Sequence, residues 1–461
     1  MSTTTEIDLT DPSGGPPRAG RRHWIDDWRP EDPAFWQATG RRIARRNLML
    51  SITSEHIGFA VWSLWSVFVL FLGDDYGFTP DQKFLLTTVP TAVGAFLRLP
   101  YTFAVAKLGG RNWTIVSAAL LLVPCISSWF VLRPGVEFST VLAIAAVAGV
   151  GGGNFSSSMA NIESYYPQRL KGWALGLNAG GGNLGVAAVQ LVGLAVLATA
   201  GKEHPRVMLG VYIPLVVVAV LCATLFMDNL THATNEKRGM RDVSRDPHTW
   251  IMSFLYIGTF GSFIGFSFAF GQVLQVQFAE QFDTPVEAAS LTFLGPLIGS
   301  LIRPLGGRLA DRYGGARVTI ANFVGMAAGA GLVLVASLAE SLPLFIVAFI
   351  ALFTMSGLGN GSTYKMIPSI FTAKAARNVA AGADMEAEAR NAQRLSRSLI
   401  GIAGSVGAFG GVFVNLGLRQ SFLSNGTADA AYAGFIAFYV ACVLVTWAIF
   451  LRPSPRRLSG V

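Results

Sequence analysis

The chain has 461 residues, 52% of them hydrophobic and only 13% charged, with a mean hydropathy of +0.49. Soluble domains carry about 25% charged residues, so this composition excludes a water-soluble globular protein and points to the bilayer. A net charge of +8 would suit nucleic acid, but the basic residues are scattered between apolar runs rather than gathered into a patch, and no nucleic-acid partner is expected.

Residues 1–47 open the chain with a polar stretch that contains Gly and Pro and no apolar core of a signal peptide, which predicts a cytoplasmic tail. Trp24, Trp28 and Trp36 within it suit the membrane interface. Apolar runs of about 20 residues, the length that crosses a bilayer as helix, then recur along the chain. Twelve are expected, at 48–73, 83–106, 112–133, 139–163, 172–198, 207–228, 249–274, 286–310, 316–338, 342–366, 396–420 and 430–452. The alternation of a membrane β-barrel is absent. A polar linker at 229–248 divides the chain into six-helix halves, 48–228 and 249–452, and residues 453–461 form a short tail. The Ala-rich, charged segment 373–397 interrupts the second half and predicts an amphipathic surface helix.

The 35 Lys and Arg are distributed unevenly among the loops. Lys83, Arg133, Lys202, Arg206 and Arg419 lie in loops after odd-numbered helices, and Arg98, Arg303 and Lys365 lie within helices. The rest occupy the termini and the loops after even-numbered helices. This is the positive-inside pattern, so both termini are expected in the cytoplasm of a multi-pass protein of the cytoplasmic (inner) membrane. Cys125, Cys222 and Cys442 fall in apolar helices without metal-ligand spacing and read as packing residues; no metal or cofactor is expected.

Two of the intramembrane charges are related by an internal repeat. Val93-Gly-Ala-Phe-Leu-Arg98 matches Ile298-Gly-Ser-Leu-Ile-Arg303, and Gly109-Gly110 and Thr114-Ile115 match Gly314-Gly315 and Thr319-Ile320 at the same offset of 205 residues. A guanidinium at the bilayer centre costs about 2.5–3.5 kcal/mol on insertion scales, so two of them require a reason. No aspartate lies near either one in the helices, which argues against a structural ion pair. An anion held between them is the simplest reason. Glycine runs at Gly151-Gly152-Gly153, Gly180-Gly181-Gly182 and Gly357-Leu-Gly359 follow no strand, which excludes a nucleotide loop; small residues here allow helices to approach closely.

Two parallel six-helix repeats with cytoplasmic termini resemble the major facilitator transporters. Gly307-Arg-Leu-Ala-Asp311-Arg312-Tyr-Gly314 resembles the superfamily's loop motif, which implies gating roles for Asp311 and Arg312. The first-half copy, Ala106-Lys107-Leu-Gly109-Gly110-Arg111, lacks the aspartate. Three longer strings are more specific. Gly151-Gly-Gly-Asn-Phe155-Ser-Ser-Ser-Met-Ala-Asn161-Ile, Gly357-Leu-Gly-Asn-Gly-Ser-Thr-Tyr-Lys-Met-Ile and Trp250-Ile-Met-Ser-Phe-Leu-Tyr256-Ile-Gly-Thr-Phe260 are similar to segments of the nitrate/nitrite porter family. The resemblance runs from about residue 40 to 450. It implies secondary transport of nitrate or nitrite rather than catalysis, usually by a monomer. It also implies a pocket in which Arg98 and Arg303 clamp the anion, with Tyr256, Asn183, Phe59, Phe155 and Phe260 around it.

The residue chemistry agrees with that pocket. Nitrate and nitrite are flat monoanions, and the planar guanidinium fork matches two coplanar oxygens where lysine would not. Import against an inside-negative potential costs about 2.3 kcal/mol per 100 mV, so protons must enter with the anion or another anion must leave. Glu55 and Lys365 are the expected proton-coupling residues, with His56 and Glu163 as weaker candidates. A Glu55–Lys365 ion pair, or contact of Glu55 with Arg45 or Arg46, is the structural alternative. Proton-coupled nitrate uptake is the working expectation and nitrate/nitrite exchange the alternative. An anion channel would use the same charges without needing two matched halves that rock, and a membrane nitrate sensor would need segment 373–397 to bind a partner, although no recognisable signalling domain is present.

Overall fold

The computed structural model describes residues 23–231, 237–453, 458 and 461. The expected N-terminal tail up to residue 22, linker residues 232–236 and most of the C-terminal tail lie outside the described residues. Among the described residues twelve helices are long and apolar enough to span a membrane. They are α1 Pro33–Phe71, α2 Pro80–Leu108, α3 Gly110–Val131, α4 Phe138–Tyr165, α5 Gln168–Ala200 and α6 Arg206–Phe226 in the first half. The second half holds α7 Pro247–Gln277, α8 Val286–Tyr313, α9 Gly315–Leu338, α10 Leu342–Ala380, α11 Met385–Asn425 and α12 Asp429–Leu451.

Local chemistry fixes the helix ends. Thr79 and Gln82 form a capping box ahead of Pro80 in the first turn of α2. Asp246 accepts the His248 amide ahead of Pro247 to start α7, and Asp384 accepts the Ala387 amide to start α11. Both α2 and α8 stop at a glycine with positive φ, Gly109 at +86° and Gly314 at +92°, a backbone conformation that L side chains rarely adopt. These two glycines are repeat mates, so the repeat extends to the turn geometry.

The halves meet along α2–α11, α5–α8 and α1–α7. Within the second half, α8 and α10 approach so closely that a Cβ on Gly357 would lie 2.3 Å from the Gly299 carbonyl oxygen, and one on Gly361 2.2 Å from that of Arg303. Here glycine sets the distance between the helix that bears Arg303 and its neighbour.

Two expectations are corrected. Segment 373–397 is not a separate surface helix. Instead α10 continues to Ala380, the chain turns through Gly382 at φ +100°, and α11 begins at Met385. An Ala-rich segment beside existing helices extends them, because propagation avoids the cost of a new nucleus. The second concerns residues 23–47, which are not a free tail. Trp24–Ile25 (β1) pairs in parallel with Asn229–Leu230 (β2), and helix begins at Pro33, before the apolar run. Trp28 packs edge-on to Tyr165 at 5.4 Å and Trp36 to Tyr166 at 5.6 Å, so these rings cover protein rather than the lipid interface. Burial of the Tyr166 phenol in this contact pushes its pKa up to about 12. Arg46 binds Asp228 at 2.5 Å, and the Tyr165 hydroxyl donates to the Asp228 carbonyl oxygen at 2.7 Å. These contacts tie the start of the chain to the linker, at one end of the bundle.

Candidate substrate site

Arg98 sits on α2 and Arg303 on α8, 0% and 6% exposed. The Arg98 guanidinium is stacked among four rings, with its carbon 4.6 Å from the centroid of Phe155, 4.7 Å from Phe260, 5.5 Å from Trp62 and 5.9 Å from Phe59. Its Nε donates to the Gly152 carbonyl at 3.2 Å and its Nη1 to the Gly404 carbonyl at 2.8 Å. Its Nη2 is buried and has no partner among the described residues. Arg303 is held more lightly but likewise keeps a buried nitrogen: Nη2 donates to the Tyr256 hydroxyl at 3.2 Å, the guanidinium lies 5.6 Å from the Tyr364 ring, and Nη1 has no partner among the described residues. Among the described residues neither arginine is bridged to a carboxylate. Each half therefore presents a buried guanidinium with a buried donor nitrogen that has no partner among the described residues. A buried donor left unmade costs about 1–3 kcal/mol, more when charged, unless a ligand completes it.

Helix α7 supplies the wall through a local irregularity. Residues Ile257–Gly261 form a π-helical turn, a deviation common at functional sites, immediately after Tyr256. It leaves the Tyr256 and Phe260 rings stacked at 5.2 Å and nearly parallel, with Phe155 stacked on Phe260 from the opposite half at 6.1 Å. Such faces exclude water and accept a flat ion between them. Asn183 on α5 is 1% exposed and both of its amide atoms lack partners among the described residues, as do those of Asn154 and Asn360.

Glu55 is fully buried on α1 beside this pocket, near enough for the charges of Arg98 and Arg303 to act on it. Its Oε2 accepts from Asn178 Nδ2 at 2.7 Å, Asn178 also reaches Ser158, and its Oε1 has no partner among the described residues. It lies against Gly182, where a Cβ would meet Oε1 at 2.2 Å. His56 points to α5 instead, with Nδ1 at 3.0 Å from the Gly181 carbonyl.

Lys365 is corrected. It does not approach Glu55 but bonds Asp311 at 2.7 Å, with both side chains about half exposed at the linker end. The long lysine side chain reaches out of the middle of α10 to water, where its charge costs little. The Glu55–Lys365 pair is therefore not formed, nor is a contact of Glu55 with Arg46, which is taken by Asp228. The Asp311–Lys365 bond ties α8 to α10, whereas Arg312 rests 5.3 Å from the Tyr313 ring. Glu163 also lies away from the pocket, held between Lys171 at 3.7 Å and Arg397.

A cavity of about 90 Å³ separates the pocket from the linker end of the bundle. Phe155 and Tyr364 form its inner side, and Glu163 and Arg397 its outer side. The opposite end is packed across the halves: Gln272 donates to the Pro80 carbonyl, Gln190 to that of Ser267, and Arg419 binds Asp81.

Sequence reasoning missed Trp62, Asn178 and Tyr364. Tyr364 stands inside one of the quoted glycine-rich strings, a polar ring tip in an apolar helix, and that was its available signal. Asn178 on α5 reaches Glu55 on α1, a relation that helical spacing alone does not reveal.

Residues 52–413 match the family described as Major Facilitator Superfamily. The nitrate/nitrite transporter NarU of Salmonella typhimurium is 38% identical over 95% of this chain and 98% of its own length. The "Probable nitrate/nitrite antiporter NarK2" of Thermus thermophilus is 32% identical over 95% of this chain and 99% of its own. Among solved structures, a D-xylose–proton symporter superposes with a TM-score of 0.62 at 13% identity, covering 90% of this chain and 97% of that one, a likeness of fold alone. The buried arginine pair, the two six-helix halves and these likenesses converge: the chain belongs to the nitrate/nitrite porter family of the major facilitator superfamily and is a multi-pass membrane protein.

Proposed function

We propose that this protein moves nitrate, and nitrite with it, across the cytoplasmic membrane by alternating access, and that protons drive the uptake of nitrate. The observation that carries the substrate class is the pair of buried guanidinium groups, each with one uncommitted nitrogen. A flat monoanion between them would accept from Arg98 Nη2 and Arg303 Nη1, with the Phe155, Phe260 and Tyr256 rings bounding its faces. The positive-inside pattern supports a cytoplasmic position for the linker end and its cavity.

Glu55 carries the coupling. Two guanidinium groups and one carboxylate leave the empty pocket with one positive charge. Adding nitrate and a proton together leaves that charge unchanged, so the loaded and empty carriers cross the potential alike. An ionised Glu55 competes with the anion for the arginine charges, and a protonated one does not. Proton and anion therefore favour each other's binding, reciprocally, through the arginines. Asp311 holds α8 to α10, and its gating role is to keep the second half moving as a unit.

Proteoliposomes test this reading. With an acid-outside pH gradient and no internal anion, nitrate should accumulate, and Glu55→Gln should abolish that accumulation while leaving nitrate counterflow measurable. Accumulation that persists in Glu55→Gln removes the residue from the coupling. Exchange is the second reading, favoured by the name of the 32% identical relative. It predicts that internal nitrite drives uptake without any pH gradient.

A further inference from the structure

Among the described residues, each end of the bundle is latched by one ion pair between the halves, and the two latches share a design. At the linker end, Glu163 at the end of α4 binds Arg397 on α11. At the opposite end, Asp81 at the start of α2 binds Arg419, also on α11, at 3.2 Å. In both, the acid belongs to the first half and the arginine to the second. Arg397 and Arg419 are 22 positions apart on one helix, about 33 Å of rise, which matches the apolar thickness of a bilayer.

The partners are unequal in what each keeps when its latch opens. Glu163 has a second cation in its own half, Lys171 at 3.7 Å. Asp81 accepts from the Thr79 hydroxyl at 2.5 Å and stands in the first turn of α2, where the helix dipole favours an acid. Both acids thus retain local stabilisation. Arg397 and Arg419 do not: among the described residues Arg397 has no acidic partner but Glu163, and Arg419 none but Asp81. Opening either end therefore releases an uncompensated guanidinium at the mouth. At the linker end that mouth is the ~90 Å³ cavity, which Arg397 lines together with the hydroxyl-bearing Ser156, Ser164 and Ser398, and which ends on Phe155 and Tyr364. The Tyr364 hydroxyl is buried without a partner among the described residues.

We propose that Arg397 and Arg419 are alternating receiving sites for the small oxyanion: each closes its end as a latch, and each, once released, holds the anion at the open mouth before it reaches the clamp. The proposal rests on the reading that the substrate is an oxyanion. The direction of the latches matters for it, because a pair built the other way round would present a freed carboxylate and repel the substrate.

Side-specific kinetics of nitrate transport in right-side-out and inside-out vesicles test it. Arg397→Gln should raise the KM for nitrate presented at the linker end roughly tenfold, the lower range of electrostatic steering, and flatten its dependence on ionic strength. It should leave the KM at the opposite end unchanged, and Arg397→Lys should restore most of the loss. Glu163→Gln breaks the same latch yet leaves Arg397 free, so it should lower that KM or leave it unaltered. Arg419→Gln should reproduce the Arg397→Gln effect at the opposite end only, which tests the proposal on a separate variant. Arginines that are latches and nothing more would make Arg397→Gln and Glu163→Gln shift KM in the same direction, and that result overturns the proposal. A wild-type protein that moves no nitrate from either side instead overturns the oxyanion reading beneath it.

Discussion

Arg98 commits two of its three guanidinium nitrogens to helix carbonyls and keeps the third, an arrangement only a fork of several N–H groups permits. A lysine at this position would direct its single ammonium to Gly152 or Gly404 and leave the anion without a rigid donor. Arg98→Lys and Arg303→Lys should each abolish nitrate uptake with the protein still in the membrane. One lost charge-assisted bond, about 1.5–3 kcal/mol, already weakens binding tenfold or more; binding measured by calorimetry on purified protein checks the origin of the loss. The arginines were legible in the sequence because a charge in an apolar run is conspicuous and a second copy at a fixed offset doubles the signal. Lys365 was equally conspicuous and misleading, since spacing along a helix does not say whether a long side chain turns inward or reaches water. Asn178 stayed hidden for the opposite reason: an amide in a Gly- and Ala-rich helix has no signature until the helix opposite is known.

Among the elements, the α8–α10 contact is the one on which the proposed arginine clamp depends. A methyl group on Gly361 would strike the carbonyl oxygen of Arg303 itself, and backbone cannot yield as a side chain can. Gly361→Ala should therefore push α8 outward, costing about 1–3 kcal/mol as overpacking does. Nitrate affinity should fall in proportion, while Gly307→Ala, in open space on α8, should leave both thermal stability and affinity intact. The extended α10–α11 hairpin is anchored by the linker: Lys374 bonds Asp246, and Arg394 bonds Asp242 at 2.9 Å. Burial opposes the Asp246 charge, but hydrogen bonds from His248 and Lys374 outweigh it and hold the carboxyl well below the usual range. A depressed folded-state pKa stabilises at pH above the unfolded value and is lost as pH falls through the folded one. The anchor should thus persist unchanged down to about pH 4 and weaken only below it. Limited proteolysis of the linker across that range, with Asp246→Asn as the permanently weakened form, checks this.

For the molecule as a whole, length, hydropathy and the 205-residue repeat were enough to anticipate twelve helices in two halves, because the bilayer admits few ways of burying backbone. The expected spans were too short at several ends, since helix continues into the aqueous boundary where hydropathy no longer marks it. That is why residues 33–47 and 373–397 were read as a tail and a surface helix. Contacts between the halves were beyond reach: nothing along the chain joins Asp81 to Arg419 or Glu163 to Arg397.

Those two ion pairs have a mechanical consequence through the helix they share. Met385–Asn425 runs unbroken by proline past both of them, and Gly404 on it also receives the Arg98 hydrogen bond between the two. A stiff rod pivoting near its middle cannot draw away from its neighbours at both tips at once, so stretching one tip's bond presses the other's together. The protein would then behave as a see-saw, with no posture that leaves a continuous aqueous path, and the gradient that drives the anion would not be short-circuited by a leak.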